Sequence, residues 1–350
     1  MKIDYSIPSD FEIKTLEDIS KLNRLYHGHK VTEIYGQVTD GYIKNSGRML
    51  SMLKTISINS FGDYLTECHK RGIKFNYTIN ASCMSNMEDE ENTISFIRDL
   101  YNMGVDSFTV SIPRLIEIIR GKCHDVEIKA SAICAINNVN KARAMFNLGV
   151  NRIVLDPNIT RCFNVIKRIT NEFPDSCEII LNSMCVKNCI FTMFHYNYDA
   201  HCIGDITNSN RYYFNKCSHQ KALDCANYLR LNWIRPEDMH YYTDSGLNKF
   251  KLQGRNVHNG DLILKAIKHY IENNFDGNLI DLLTVFTPYN IVQPYIDNKK
   301  LDGFVNRFYL RPDCCNDDCR NCGYCDSYIS KCADSAELVE FKSMAKVLYT

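Results

Sequence analysis

Four short phrases in this chain follow one pattern: HKRGIKFNYTIN, YNMGVDSFTVS, FNLGVNRIVLD and TDSGLNKFKLQG. In each, a helical end runs into a glycine: Gly72, Gly104, Gly149 or Gly246. One branched apolar residue, one polar residue and a β-rich run follow. The glycine supplies a left-handed helix cap, the apolar residue packs back on the helix, and a strand begins two or three residues later. Repeating this helix-to-strand loop implies alternating helices and parallel strands. The first three glycines are 32 and 45 residues apart, one βα unit each, and the gap of 97 to the fourth suits two units plus an insertion.

Strands are expected at Val31–Val38, Ile73–Asn80, Ser107–Ile112, Glu127–Ile133, Arg152–Asp156, Glu178–Ser183, Lys249–Gln253 and Gly303–Leu310. Helices are expected at Ile94–Met103, Val139–Leu148, Thr160–Glu172 and Asp261–Asn274, and in a closing segment from Asp334, where Asp334 and Glu337 form a capping-box pattern. Pro236 fits the first turn of a short helix. An α/β fold of the (β/α)8 TIM-like barrel type accounts best for this order, with a doubly wound open sheet as the rival. The barrel would occupy 1–310 and carry a cysteine-bearing insertion at about 184–232. A cysteine-rich tail and closing helix would occupy 311–350.

Alternation along two strands separates polar from apolar faces. Asn76, Thr78 and Asn80 oppose Phe75, Tyr77 and Ile79, while Lys251, Gln253 and Arg255 oppose Phe250 and Leu252. The polar sets are the expected interior sets, and barrel sites form at the C-terminal strand ends. Asn80, Asp156, Gln253 and Arg255 are therefore the expected catalytic residues, with Ser111 and Asn182 beside them.

Of 17 cysteines, most of those close together fall in two windows. Cys185, Cys189, Cys202, Cys217 and Cys225 lie in the insertion, and Cys314, Cys315, Cys319, Cys322, Cys325 and Cys332 lie in the tail. Soft thiolates at such spacing select iron–sulfur clusters or zinc. In the first window Cys185, Cys189, Cys217 and Cys225 suffice for a 4Fe-4S cluster or a closed zinc site, and Cys202 is the spare. His195 and His201 stand nearby as ligand, proton donor or packed residue. The tail contains CxxCxxC at Cys319, Cys322 and Cys325, close to the ferredoxin run, with Cys314, Cys315 or Cys332 as fourth ligand. A second iron–sulfur cluster is expected there, held by Cys315, Cys319, Cys322 and Cys325, with zinc as the alternative. CxxxCxxC at Cys315, Cys319 and Cys322 also spells the triad of radical S-adenosylmethionine enzymes. Too few residues follow it to build the barrel which that triad precedes.

Composition narrows the rest. The formal charge is zero, with 41 basic and 41 acidic residues, so a global nucleic-acid footprint is lacking. The N-terminus has no secretory h-region and no apolar run approaches the ~18 residues that span a bilayer. A cytoplasmic home without membrane partners is expected, where clustered thiols favour metal or redox chemistry over disulfides. Neither GxSxG nor HExxH occurs.

LNSMCVKNCIFTMFHYN, NWIRPEDMHYYTDSGLNKFKLQGR and the downstream FDGNL resemble peptidase family U-32, the collagenase-like proteins, over roughly residues 30–285. That resemblance implies a 4Fe-4S cluster on Cys185, Cys189, Cys217 and Cys225, with Arg255 lining the substrate cavity. It also implies an oxygen-independent hydroxylation or similar tailoring of an RNA base, quinone precursor, peptide or metabolite. A paralogous barrel or an electron donor would be the partner. The family name implies a peptidase instead, and a metal-stabilised accessory subunit is the third reading. The cysteine spacing and the extra tail depart from the hydroxylase pattern.

Overall fold

The computed structural model describes residues 2–202, 208–287, 293–311, 314–315 and 317–349. Eight parallel strands close into a barrel. They are β1 (Ile3–Pro8), β2 (His29–Gly36), β3 (Lys74–Ile79), β4 (Ser107–Val110), β5 (Glu127–Ala130), β6 (Arg152–Val154), β7 (Cys177–Ile180) and β10 (Lys249–Lys251). A separate antiparallel pair, β8 (Asn182–Val186) and β9 (Leu231–Trp233), stands outside the ring. The barrel closes where β1 pairs with β10, with Tyr5 opposite Phe250.

Three readings of the strands are corrected. The N-terminal IDYSIP is a barrel strand that the repeat pattern did not reveal, because no capping glycine precedes it. Gly303–Leu310 is not a strand: Asn306–Leu310 is helical, and Phe304 stacks between Trp233 and Tyr324 at 5.8 and 5.5 Å. The β-rich composition of that segment is overridden by its aromatic packing. The expected strand 178–183 is also divided. Its chain leaves the ring at Leu181 and continues as β8, which carries Cys185 out over the mouth.

The repeated glycines act as the pattern requires. Gly72 has φ +67° and its amide donates to the His69 carbonyl at 2.9 Å, closing the helix before β3. Strand alternation also holds. Phe75 and Tyr77 point at Phe61 of the helix Ile58–Lys70, with ring centroids 4.9 and 5.8 Å apart, while Asn76 and Thr78 face the interior. Asp334 caps the closing helix Ser335–Tyr349 by accepting from the Ala336 and Glu337 amides.

The barrel interior is ionic rather than oily. Lys129 is fully buried and donates to both Glu33 carboxylate oxygens at 2.6 and 2.5 Å, with Glu178 at 3.6 Å. Ser6 donates to Glu33 at 2.7 Å, and Arg152 reaches Glu178 at 3.6 Å. Burial alone would raise the Glu33 carboxyl, but Lys129, Arg152 and Lys251 outweigh it and hold the pKa at about 2.

Candidate functional site at the barrel mouth

The insertion after β8 folds over the C-terminal strand ends as two helices, Thr192–His201 and Asn208–Leu223. It is pinned to the loops below. Asn45 donates to the Ala200 carbonyl at 2.7 Å, and Ser82 donates to Asn197 at 2.6 Å. A cavity remains between this cover and the barrel. Asn80, Gln253, Arg255, Cys185, Cys189 and Cys217 all line it, as do Tyr35, Tyr196 and Tyr213.

The charge on its wall is one-sided. Arg48, Lys221, Lys251 and Arg255 line the cavity, and no Asp or Glu is among the described lining residues. Arg255 is fixed by four oxygen acceptors: Thr78 at 2.8 Å, Gln37 at 3.2 Å, Asn80 at 3.4 Å and Ser46 at 3.5 Å. Burial and the neighbouring Arg48 push its pKa down to about 10, so it stays a cation at neutral pH. Lys251 Nζ lies 3.9 Å from the Tyr35 ring centroid, and burial pushes its pKa down to about 8 despite Glu178. A cation held against its own solvation preference in a cavity is a mark of a functional site.

Gly47 lets the Arg48 loop cross the mouth closely. Its amide donates to Asn80 at 3.1 Å, and a Cβ there would meet Ile133 at 2.8 Å and Asn80 at 3.0 Å. On the covering helix, His195 faces the buried Asp199 at 3.6 Å and stacks on Tyr213. Burial lowers the His195 pKa and raises that of Asp199.

The structure does not bring every expected residue here. Asp156 is buried and caps the turn after β6, accepting from the Asn158 amide at 2.9 Å, and is not among the cavity-lining residues. Cys225 is also elsewhere. It is buried, its thiol 3.9 Å from the Ala222 carbonyl and close to Lys342 of the closing helix. Cys202 bonds to Tyr198. Arg235 of the NWIRPED stretch is structural: fully buried, it chelates Asp238 at 2.7 and 3.0 Å and holds the Asn298 carbonyl at 2.6 Å.

Three thiols therefore share the cavity. Cys185 is exposed along its wall. Among the described residues no three His, Cys, Asp or Glu side chains stand close enough to grip a single ion. Among the described residues the cysteines that line the cavity are Cys185, Cys189 and Cys217.

Arg48, Lys221 and Lys251 were missed as site residues. Their one sequence signal is the alternation Lys251–Gln253–Arg255. Arg48 and Lys221 come from separate segments that only folding joins. The tail forms a second, smaller pocket lined by Cys314, Cys315, Cys319, Cys322 and Cys325, whereas Cys332 is buried inside its helix.

No helix among the described residues is long and apolar enough to cross a membrane. The profile described as Peptidase family U32 matches residues 38–279. The "Uncharacterized protease MJ1657" of Methanocaldococcus jannaschii is 30% identical over 335 residues, covering 93% of this chain and 97% of that protein. The solved structure described as the U32 peptidase Mk0906 superposes with a TM-score of 0.50 at 15% identity, over 73% of this chain and 93% of that one. That likeness shows the fold. With the profile covering more than half of its length and a relative of 30% identity across nearly all of it, the chain belongs to peptidase family U32.

Proposed function

We propose that this protein is an iron–sulfur enzyme that tailors an anionic, ring-bearing substrate at the barrel mouth. The observation that carries the reading is the cavity wall: three cysteine thiols, four cations, several aromatic rings and no described acid. Arg255, held rigidly by Thr78 and Gln37, is suited to bind a carboxylate or phosphate through its free edge. Lys251 and Arg48 add charge, and Tyr35, Tyr196 and Tyr213 offer ring faces. Cys185, Cys189 and Cys217 would hold the cluster, which when bound supplies one-electron chemistry. Oxygen-independent hydroxylation, or a related tailoring of an RNA base, quinone precursor or acidic metabolite, is the reaction class that this set supports.

Anaerobic purification with iron and sulfide counts tests the cluster, and calorimetry with benzoate and phenyl phosphate tests the anion site. A loss of about four irons per chain in Cys185→Ser and Cys217→Ser, and anion binding that weakens in Arg255→Met, are expected. Iron-free protein with intact thiols, or binding indifferent to Arg255, overturns the reading.

One observation favours a peptidase instead: His195, which faces the buried Asp199 at 3.6 Å, lies on the wall that carries the three thiols. A thiol nucleophile activated by that histidine would make His195→Gln abolish peptide cleavage. Absence of any cleavage by the metal-free chain removes that reading.

A further inference from the structure

The second cysteine pocket is built differently from the mouth. Cys319 and Cys322 lie one helical turn apart in Cys319–Cys322, and Gly323, at φ +60°, turns the chain so that Cys325 enters from the next helix. Cys315, Cys319, Cys322 and Cys325 all line the one pocket. Cys314 instead directs its thiol at the Arg307 carbonyl, 3.8 Å away. The segment is clamped to the barrel side. Tyr324 donates to the Phe304 carbonyl at 2.9 Å, and Arg230 donates to Asp326 at 2.7 Å.

This pocket touches the mouth loop directly. Lys187 and Asn188 lie between Cys185 and Cys189 in sequence. Lys187 donates to Asp317 at 2.6 Å and stands 3.7 Å from the Cys315 sulfur, and Asn188 donates to the other Asp317 oxygen at 2.9 Å. The residues that separate two mouth thiols are thus held by the tail.

We propose that the tail is a second metal centre, an iron–sulfur cluster held by Cys315, Cys319, Cys322 and Cys325, and that its loading fixes the Cys185–Cys189 loop through Lys187 and Asn188. A zinc ion draws its thiolates in to about 2.3 Å. Cys314, Cys315, Cys319, Cys322 and Cys325 line this one pocket, enough thiols for the four that an iron–sulfur cluster takes. Arg230 and Arg307 line the pocket together with Asp317, Asp318 and Asp326, and Lys187 stands 3.7 Å from the Cys315 sulfur. The tail centre does not depend on the substrate reading above. Its effect on the loop matters to function only through that reading.

The test uses the full chain with Cys185, Cys189 and Cys217 replaced by serine, reconstituted without air with ferrous iron and sulfide. It should retain about four irons and four sulfides per chain. Adding Cys319→Ser and Cys322→Ser should remove them. Should the five-serine chain misfold, loading must protect Cys319, Cys322 and Cys325 from iodoacetamide in the three-serine chain. Loading should also slow amide exchange across residues 185–191 by about tenfold, the worth of one charge-assisted hydrogen bond. Lys187→Met should erase that slowing and keep the iron. A three-serine chain that binds no iron, that binds zinc in its place, or whose tail thiols alkylate at an unchanged rate overturns the centre. Exchange that ignores loading overturns the coupling. Loss of iron at the mouth alone, with the tail still loaded, defeats only the proposed function.

Discussion

Two levels of the barrel interior treat charge in opposite ways. Midway down, Lys129 and Arg152 are matched by Glu33 and Glu178 within 3.6 Å, and Ser6 adds a hydrogen bond to Glu33. At the mouth, Arg48, Lys221, Lys251 and Arg255 face a cavity with no acid among its described lining residues. The lower charges are satisfied by one another and so serve the fold. The upper charges line a cavity instead. Lys251 sits at the boundary, 3.9 Å from Glu178 below and lining the cavity above.

This contrast can be broken by substitution. The largest effect is expected from Lys129→Met, which leaves Glu33 and Glu178 buried without their main partner. Unfolding in urea should show a loss of about 3–5 kcal/mol. A loss below about 1 kcal/mol would mean that the lower charges are not mutually dependent. Next comes Arg255→Met, which should weaken phenyl phosphate binding by about 10- to 100-fold while stability stays nearly constant. A large stability loss with unchanged binding would reverse the two roles.

Lys251→Met should do the opposite of Lys129→Met. The folded pKa of Lys251, about 8, lies below the ordinary lysine value of 10.5, so its protonated form costs stability at pH 7. That cost is relieved as pH rises from about 8 to about 10.5, because there the unfolded chain binds the extra proton. The substitution should therefore stabilise the protein at pH 7 by about 1–3 kcal/mol and flatten that alkaline rise. Glu33 has the reverse sign. Its pKa of about 2 lies below the usual 4.5, so its contribution is full above pH 4.5 and is lost as pH falls towards 2. The smallest effect is expected from Cys225→Ala: about 1 kcal/mol or less of stability and an unchanged iron count. Iron lost from Cys225→Ala as well as from Cys217→Ser would restore the four-cysteine set inferred from resemblance.

Much of the architecture was legible because helix caps and strand alternation are local. Gly72, Gly104, Gly149 and Gly246 each take the positive φ that the repeated phrase demands. Asn76, Thr78, Lys251 and Arg255 face inward as their two-residue period requires. What failed was equally physical. IDYSIP carries no turn signal ahead of it, and FVNRFYL has strand-forming residues that stack on Trp233 and Tyr324 instead. Asp156 has the right residue type at the right strand end, yet its carboxylate is consumed by the turn it caps.

Residue order alone specified a ring of βα units, two thiol-rich segments and a polar inner face, since each is written in neighbouring residues. Only the folded chain decided which thiols meet and which charges share a wall. Cys217 reaches the mouth and Cys225, eight residues on, is buried away from it; Arg48 and Arg255, 207 positions apart, converge. The reason is that a site's chemistry depends on distance and burial, and those are set by packing between segments that carry no mark of one another in the sequence.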